Sequence, residues 1–236
     1  PLLTPERRWR EARLLKSGKT YHLVLLQLAI DASMRDHSPY QSVTAFMKDC
    51  LAAFAKGAPA HHHLVFKSHP FEDGRERLES RMKAIAAELG LSDRVLFLHG
   101  GKLGPLLDRA RSAITVNSTA GHQALWRGLP IAVCGSAVYD KVEFTRPGDL
   151  TSFFAEPNAP DAQAYRAYRQ FLLMSSQVRG SFYTIAGRKS AVDLVADKVL
   201  DMLDPYERVL QRASQLEDTS NIALFPMDRR RNSASG

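Results

Sequence analysis

The amino-acid sequence predicts an α/β fold, a Rossmann-like parallel sheet followed by a helical C-terminal extension. From residue 21 to about residue 148, short apolar runs alternate with segments of helical periodicity. Strands that alternate with helices in this way are typical of a parallel sheet covered by helices on both faces. After residue 148 the apolar runs stop, and only helical periodicity continues.

The predicted elements follow in order. A lead-in helix over residues 5–15 precedes a continuously apolar run at 21–28, which is typical of a buried parallel strand. Residues 42–56 place apolar side chains on one helical face, and Gly57 ends that helix. Further strands are predicted near 63–67, 94–98, 113–116 and 130–133, and further helices near 74–89, 103–111, 119–127, 149–155, 160–178, 188–203 and 205–216.

Four regions result from this pattern. Residues 1–20 form a lead-in helix and linker, and residues 21–148 form the Rossmann-like domain. Residues 149–217 form the helical extension. Residues 218–236 are polar, and we expect them to form a disordered tail.

Composition limits the class of protein. The 236 residues carry a net charge of +7, which favours polyanionic partners or an anionic membrane surface. The favoured alternative is that solvated helix faces and a disordered tail account for this charge. No apolar run approaches the roughly 18 residues of a membrane span. The two cysteines, Cys50 and Cys134, predict free thiols in a reducing cytoplasm. No nucleic-acid motif is present, so no nucleic-acid partner is expected.

The most informative segment is residues 114–125, an apolar strand followed by a hydroxyl-rich turn and a helix. Asn117, Ser118 and Thr119 are good N-cap residues, and Gly121 follows them. The first turn of such a helix presents free backbone N–H groups and a positive dipole end, which suits a phosphate. The alternative is that this segment only caps a helix.

A second segment repeats this theme. The apolar run at 64–66 leads into Lys67, His69 and Pro70. In open α/β sheets, ligands bind at the carboxyl ends of the strands, so both segments indicate a nucleotide or nucleotide-sugar site. The alternative for His69 and Pro70 is that the proline only opens a helix.

Polar side chains are predicted to converge at this edge from the segments 27–38, 67–70, 99–102, 117–119 and 135–140. The set includes Gln27, Asp31, His37 and Tyr139. Carboxylate, imidazole, ammonium and hydroxyl groups together suit transfer of a group from an activated phosphate ester, in which the acceptor needs a base and the leaving phosphate needs neutralising.

Metal and hydrolase chemistry receive no support from the sequence. No Asp-x-Asp motif follows a strand, so no metal is required. His61, His62 and His63 are adjacent, and alternating side chains of a strand cannot all reach one ion. Neither a Gly-x-Ser-x-Gly elbow nor a Walker loop is present.

These motifs resemble the bacterial capsule polysaccharide biosynthesis and export proteins of the KpsS-type β-Kdo transferase family. The similar pieces extend in consistent order over about residues 20–190, and they lie at 26–31, 37–40, 64–70, 94–97, 115–121, 135–140 and 180–183. The chain departs from the family pattern at residues 31–34, where it has Asp-Ala-Ser-Met instead of Asp-Ser-Gln-Ile.

The resemblance implies one lobe of a two-lobed GT-B glycosyltransferase, with residues 1–20 as the link between lobes. It also implies CMP-Kdo as the sugar donor, no cofactor, and a phosphatidylglycerol-linked acceptor. The resemblance further implies a peripheral protein at the cytoplasmic face of the inner membrane. Its expected partners there are capsule assembly and export proteins. Carried over to this chain, the phosphate-binding motifs of the family are His69-Pro70 and Ser118-Thr119.

For catalysis, Asp31 is the first candidate base and His37 the second. Asp31 follows a buried strand, so a desolvated carboxylate with a raised pKa is expected there. The alternative is an aspartate that only caps the loop. Binding of the nucleotide and its phosphate is assigned to Gln27, Lys67, His69, Pro70, Asn117, Ser118, Thr119, Gly121 and Tyr139. A non-catalytic nucleotide- or polysaccharide-binding component of capsule export remains the alternative function.

Overall fold

The structure is a computed structural model that describes residues 5–145, 149–178, 180–182, 184–200 and 204–217. For residues 5–8 and 212–217 only the backbone is described. The predicted tail at 218–236 lies outside the described residues, as does Tyr183 of the motif at 180–183.

The described strands are β1 (Tyr21–Leu25), β2 (His63–Lys67), β3 (Val95–Leu98), β4 (Ser112–Thr115) and β5 (Ile131–Val133). The described helices are α1 (Pro5–Lys16), α2 (Ala32–Asp36), α3 (Val43–Gly57), α4 (Leu78–Glu88), α5 (Leu103–Leu107), α6 (Gly121–Trp126), α7 (Leu150–Ala155), α8 (Ala162–Ser175), α9 (Ile185–Leu200) and α10 (Pro205–Glu217).

The five strands form one parallel sheet in the order β3-β2-β1-β4-β5. Leu23 pairs with Val65 on one side and with Ala113 on the other, so β1 lies at the centre. The chain moves outward from β1 to β3 and then returns to β4 on the other side, which makes the β1–β4 boundary the switch point of the sheet. The predicted α/β fold is confirmed.

The core lies between the sheet and the helices. All five side chains of β1 are buried, and α3 buries one apolar face that includes Phe46, Met47 and Phe54. Helix α7 packs so closely on α3 that a Cβ on Gly57 would overlap the Thr151 carbonyl. Phe154 of α7 is fully buried in the same core, so the packed body continues past residue 148.

The chain divides into two compact units, Pro1–Arg166 and Ala167–Gly236. In the second unit, Lys198 of α9 donates hydrogen bonds to the carbonyls of Ser175 and Gln177. None of the side chains of α9 is buried among the described residues. In the part of the chain that is described, none of the helices combines the length and the apolar character that crossing a bilayer requires.

Several elements are shorter than predicted, and the clearest differences concern α4 and α2. Helix α4 begins at Leu78 rather than at 74, because Asp73 and Gly74 form a turn in which the Asp73 side chain accepts from the Arg75 amide. Gly74 has φ +86°, a left-handed conformation that favours glycine. Helix α2 lies in a polar segment where the sequence predicted no element, and Met34 is its one buried side chain.

Candidate functional site

An amide pair joins the ends of β1 and β4 at the switch point. The Gln27 carbonyl oxygen Oε1 accepts from the Asn117 backbone N–H at 3.0 Å, and Gln27 Nε2 donates to Asn117 Oδ1 at 2.8 Å. Asn117 Nδ2 donates in turn to the carbonyls of Ser33 and His37, at 2.8 and 3.0 Å. Both side chains are more than 90% buried. Gln27 and Asn117 therefore hold the loop after β1 against the end of β4. Their side-chain amides are bonded to other groups of the protein and not directed to a ligand.

The turn after β4 differs from the predicted helix N-terminus. Helix α6 has only six residues and begins at Gly121, after Ala120. Its first amides are already bonded, since Ala120 N donates to Ser118 Oγ, Gly121 N to the Ser118 carbonyl, and His122 N to the Thr119 carbonyl. The expectation of several free amides at a helix dipole was wrong, because a tight turn satisfies them locally.

The turn after β4 presents fewer polar groups to a ligand than the sequence predicts. The Ser118 amide donates to Thr115 Oγ1. Within the described residues the Thr119 amide makes no hydrogen bond, and the Thr119 side chain is exposed. Ser118 is half-buried beside it. One amide and two hydroxyls are therefore available, enough to contact an oxygen of an anion but not to enclose it.

Tyr139 lies beneath this turn. Its side chain is 1% exposed, and its hydroxyl donates to the Ser118 carbonyl. A Cβ on Gly121 would overlap the Tyr139 ring, so only glycine lets the helix start this close to the tyrosine. Burial raises the pKa of Tyr139, with Asp140 adding to the effect. Both residues were predicted to bind the nucleotide, and the structure gives them a supporting position under Ser118.

Lys67 is the last residue of β2, and most of its surface is buried. The residue is only 5% exposed, and its ammonium has no hydrogen bond or ion pair within the described residues. Burial lowers its pKa, and the carboxylate of Glu11 acts in the opposite direction without contacting it. Because partial desolvation penalises the charged form and no acceptor of the described residues contacts the ammonium, this position would gain from an anionic ligand.

His69 and Pro70 lie in a turn and not at the start of a helix, since α4 begins eight residues after Pro70. His69 is half-buried, and its Nδ1 accepts from the Phe71 amide at 3.2 Å. This bond places the proton of the neutral imidazole on Nε2. Nε2–H is therefore a donor for a ligand at the carboxyl edge, two residues beyond Lys67.

The two phosphate-compatible segments lie on opposite sides of β1. At about 4.8 Å between neighbouring strands, the ends of β2 and β4 are roughly 10 Å apart. A single phosphate contacts both only if the long Lys67 side chain reaches across. A ligand of nucleotide size spans this distance more easily, with its phosphate at one strand end and another polar group at the other.

Asp31 and His37 flank the loop after β1. Asp31 is half-buried rather than desolvated, and its Oδ2 accepts from the Leu28 amide at 3.3 Å. This contact closes the turn before α2. The His37 side chain is exposed, while its carbonyl accepts from the Ser136 amide. The structure thus gives Asp31 a loop-closing contact and leaves its oxygen Oδ1 without a hydrogen bond in the described chain.

Comparison with known proteins identifies the family. A family model for capsule polysaccharide biosynthesis proteins matches residues 5–183. The chain belongs to the capsule polysaccharide biosynthesis family. It is 34% identical over 163 residues to the capsule polysaccharide export protein KpsS of Escherichia coli, a match that covers 69% of this chain and 42% of that protein.

A second relative of this family member is the capsule polysaccharide modification protein LipB of Neisseria meningitidis serogroup A, 32% identical over 176 residues. That match covers 73% of this chain and 42% of LipB. The chain therefore spans less than half the length of both relatives.

Solved structures with a similar fold include the β-Kdo 2,7 transferase of KpsC from Thermosulfurimonas dismutans, with a TM-score of 0.41 and 16% identity over 66% of this chain and 53% of that one. Another is HepE from Anabaena in complex with UDP, with a TM-score of 0.44 and 14% identity over 92% of this chain and 54% of that one. At this level of similarity neither structure identifies a substrate for this family member.

Sequence reasoning missed an ionic cluster behind the β3 end. Glu79 of α4 contacts Arg10 of α1 at 2.8 Å, Lys83 at 2.8 Å and His99 at 2.7 Å. Burial alone would raise the pKa of Glu79, but hydrogen bonds from Lys83, Arg10 and His99 lower it to about 2. Only the Glu79–Lys83 pair has the i, i+4 spacing that a sequence can show.

It also missed a buried hydrogen-bonded chain at the opposite edge of the sheet. His22 Nδ1 lies 2.8 Å from Ser112 Oγ, and His22 Nε2 lies 3.0 Å from His62 Nδ1. His61 is exposed, and the ring planes of His61 and His62 are inclined at 80°. His62 thus serves the core, and in the described residues no group of three ligating side chains is assembled around a metal position.

Proposed function

We propose that this family member carries the nucleotide-sugar-binding lobe of a GT-B glycosyltransferase. The proposed reaction transfers Kdo from CMP-Kdo, with inversion, to a phosphatidylglycerol-linked acceptor at the cytoplasmic face of the inner membrane. Family membership supports a role in capsule biosynthesis. Because the chain spans 42% of the relatives' length, the reaction of the whole protein is part of the proposal.

The observation that carries the proposal is Lys67. The residue is 95% buried at the carboxyl end of β2, and its ammonium forms no ion pair within the described chain. His69 presents Nε2–H two residues later. A buried cation and a neighbouring donor at a sheet edge form the kind of preorganised site that neutralises a developing phosphate charge.

The proposed chemistry is a direct displacement. A base, Asp31 or His37, accepts the proton of the acceptor hydroxyl, whose oxygen attacks the anomeric carbon of Kdo. The bond from that carbon to the phosphate oxygen breaks, and CMP leaves with the electron pair. Lys67 and His69 neutralise the departing phosphate, with the hydroxyls of Ser118 and Thr119 as further donors. The proposal requires no metal, because the cations come from side chains.

A non-catalytic export component is the second candidate. The Escherichia coli relative is named a capsule polysaccharide export protein. In this chain, moreover, one oxygen of Asp31 is engaged by the Leu28 amide, as in an aspartate that only shapes a loop. This candidate keeps nucleotide binding and lacks turnover, so a transfer assay separates the two functions.

The binding experiment uses Lys67→Met, with nucleotide affinity and folding stability measured on the same preparation. Loss of a charge-assisted hydrogen bond costs about 1.5–3 kcal/mol, so CMP affinity in calorimetry should fall by an order of magnitude or more. Folding stability should stay equal or rise, because the substitution removes a charge that desolvation penalises and that no described residue pairs with. The conservative Lys67→Arg variant keeps the charge and should retain more CMP affinity than Lys67→Met.

The control is Lys48→Gln, which changes an exposed lysine of α3. His69→Ala should also weaken CMP binding, and CMP should raise the melting temperature more than UMP, GMP or AMP. Unchanged CMP affinity in both Lys67→Met and His69→Ala would contradict the proposed phosphate site.

A further inference from the structure

A cavity of about 390 Å³ opens at the amino-terminal edge of the sheet. We call it the amino-edge cavity; it lies between the end of α1, the loop that leads into β1, and the start of β4. Strand β1 is five residues long, so this edge is about 15 Å from the carboxyl edge where Lys67 ends β2. The cavity is therefore separate from the proposed sugar-donor site.

Three cations line the amino-edge cavity, namely Lys19, Arg109 and Arg111. Arg109 is fixed in place, because its Nη1 donates to the Leu15 carbonyl at the end of α1 at 3.0 Å. The charged groups of Lys19 and Arg111 have no hydrogen bond or ion pair among the residues that the structure describes. Two cations that no described residue pairs with, and one guanidinium held by a carbonyl, thus face the same space.

Among the residues that the structure describes, none that lines the amino-edge cavity carries a carboxylate. The nearby Asp108 is engaged by Arg127 at 2.6 Å, and Glu11 accepts from the Lys102 amide at 3.2 Å. By contrast, a cavity between α4 and β3 includes Glu79 in its wall, together with Arg10 and Lys83. The positive charge of the amino-edge cavity is therefore not balanced from within.

The neighbouring imidazoles respond to this charge. Burial is the main reason why the pKa values of His22 and His63 are lowered, and nearby cations lower them further, Arg111 for His22 and Lys19 for His63. Cations of this cavity thus act on one side chain in each of two strands, His22 of β1 and His63 of β2. The positive charge of the cavity therefore acts at the edge of the sheet, while Asp108 and Glu11 act in the opposite sense on Tyr21 in the cavity wall.

We propose that the amino-edge cavity binds a phosphate-bearing anion, held by Lys19 and Arg111 with Arg109 as a fixed third donor. A guanidinium binds phosphate oxygens through two parallel N–H groups, and lysine adds a point charge. The phosphate group is either that of an anionic lipid headgroup or that of a soluble phosphate compound. The proposal does not depend on the proposed transfer reaction.

The test uses the full chain with Lys67→Met, so that the carboxyl edge does not contribute. Pyrophosphate is titrated while backbone amide signals are followed by NMR. The amides of Lys19, Thr20 and Arg111 should shift, and Lys19→Gln and Arg111→Gln should each weaken the affinity by about fivefold. Lys48→Gln is the control, and Arg109 is left unchanged because it holds the end of α1.

A second arm uses flotation with phosphatidylglycerol vesicles and with phosphatidylcholine vesicles. Binding of pyrophosphate with these shifts supports a soluble ligand. Binding only to phosphatidylglycerol vesicles, lost with added salt and in Arg111→Gln, supports a lipid headgroup. The proposal is overturned if neither probe binds, or if both variants bind as the parent chain does.

Discussion

Burial of His22 predicts that this protein loses stability in mild acid. The side chain is fully buried between Phe54 and Phe154 and bonded to Ser112 and His62. Burial, with His62 as the next cause, lowers the pKa of His22 to about 3. The folded protein therefore keeps His22 neutral in a pH range where the unfolded chain protonates it.

The magnitude follows from the two pKa values. Below the unfolded value of about 6.5, the unfolded state binds one proton more, so the free energy of unfolding falls by about 1.4 kcal/mol per pH unit. Between pH 7.5 and pH 5 the loss is about 2 kcal/mol, and it continues until the pH approaches 3. The stabilisation that neutral His22 gives the folded state is therefore fully present only at pH values above about 6.5. The pKa values of His62 and His63 are also lowered by burial, which adds in the same direction.

The assay is urea unfolding at pH 7.5, 6 and 5 for the parent chain, for His22→Gln and for the control His61→Gln. His22→Gln should be less stable at pH 7.5, but its free energy of unfolding should fall by about 2 kcal/mol less on going to pH 5. His61 is exposed, so its variant should follow the parent. Equal pH dependence in all three proteins, at equal m-values, would show that His22 titrates normally in the fold.

Two further predictions concern carboxylates. Glu79→Gln should lower the free energy of unfolding at pH 7 by about 1–3 kcal/mol, because three hydrogen-bond donors lose their charged acceptor. The difference from the parent should shrink as pH falls from 4.5 towards 2, where Glu79 itself becomes protonated. Thermal unfolding at pH 7 and pH 3.5 measures both effects, and a pH-independent difference would exclude the ionised Glu79 as the cause. Asp31→Asn, in a form of the protein that transfers Kdo, should leave CMP binding intact and reduce transfer from CMP-Kdo to lysophosphatidylglycerol by about two powers of ten or more, as followed by mass spectrometry; near-normal turnover would move the search for the base to His37.

The sheet could be predicted from the sequence because its signals are local. A continuous apolar run such as 21–25 is recognisable without knowledge of its neighbours, and Gly57 marks the end of α3. The strand at 63–67 has the predicted bounds. The alternation of strands and helices then restricts the topology to a parallel arrangement, which the structure confirms.

Details of the candidate site depend on partners far along the chain. The Gln27–Asn117 pair joins residues 90 positions apart, and the Glu79–His99 contact joins α4 to the loop after β3. A sequence shows polar residues at these positions but not which groups satisfy one another. For this reason the hydroxyl-rich turn at 117–119 was interpreted as an open helix terminus, although its amides are bonded within the turn.

His22 and Lys67 differ in how the energetic cost of burying a polar side chain is met. His22 remains neutral and is bonded on both nitrogens, so its burial contributes to the stability of the fold. Lys67 is 5% exposed as a residue, burial lowers its pKa, and its ammonium makes no hydrogen bond or ion pair within the described chain. Its hydrocarbon stem can pack in the core, but the core does not use the charge. A bound anion would give that charge a partner, and this is why the proposed sugar-donor phosphate site is placed at the end of β2.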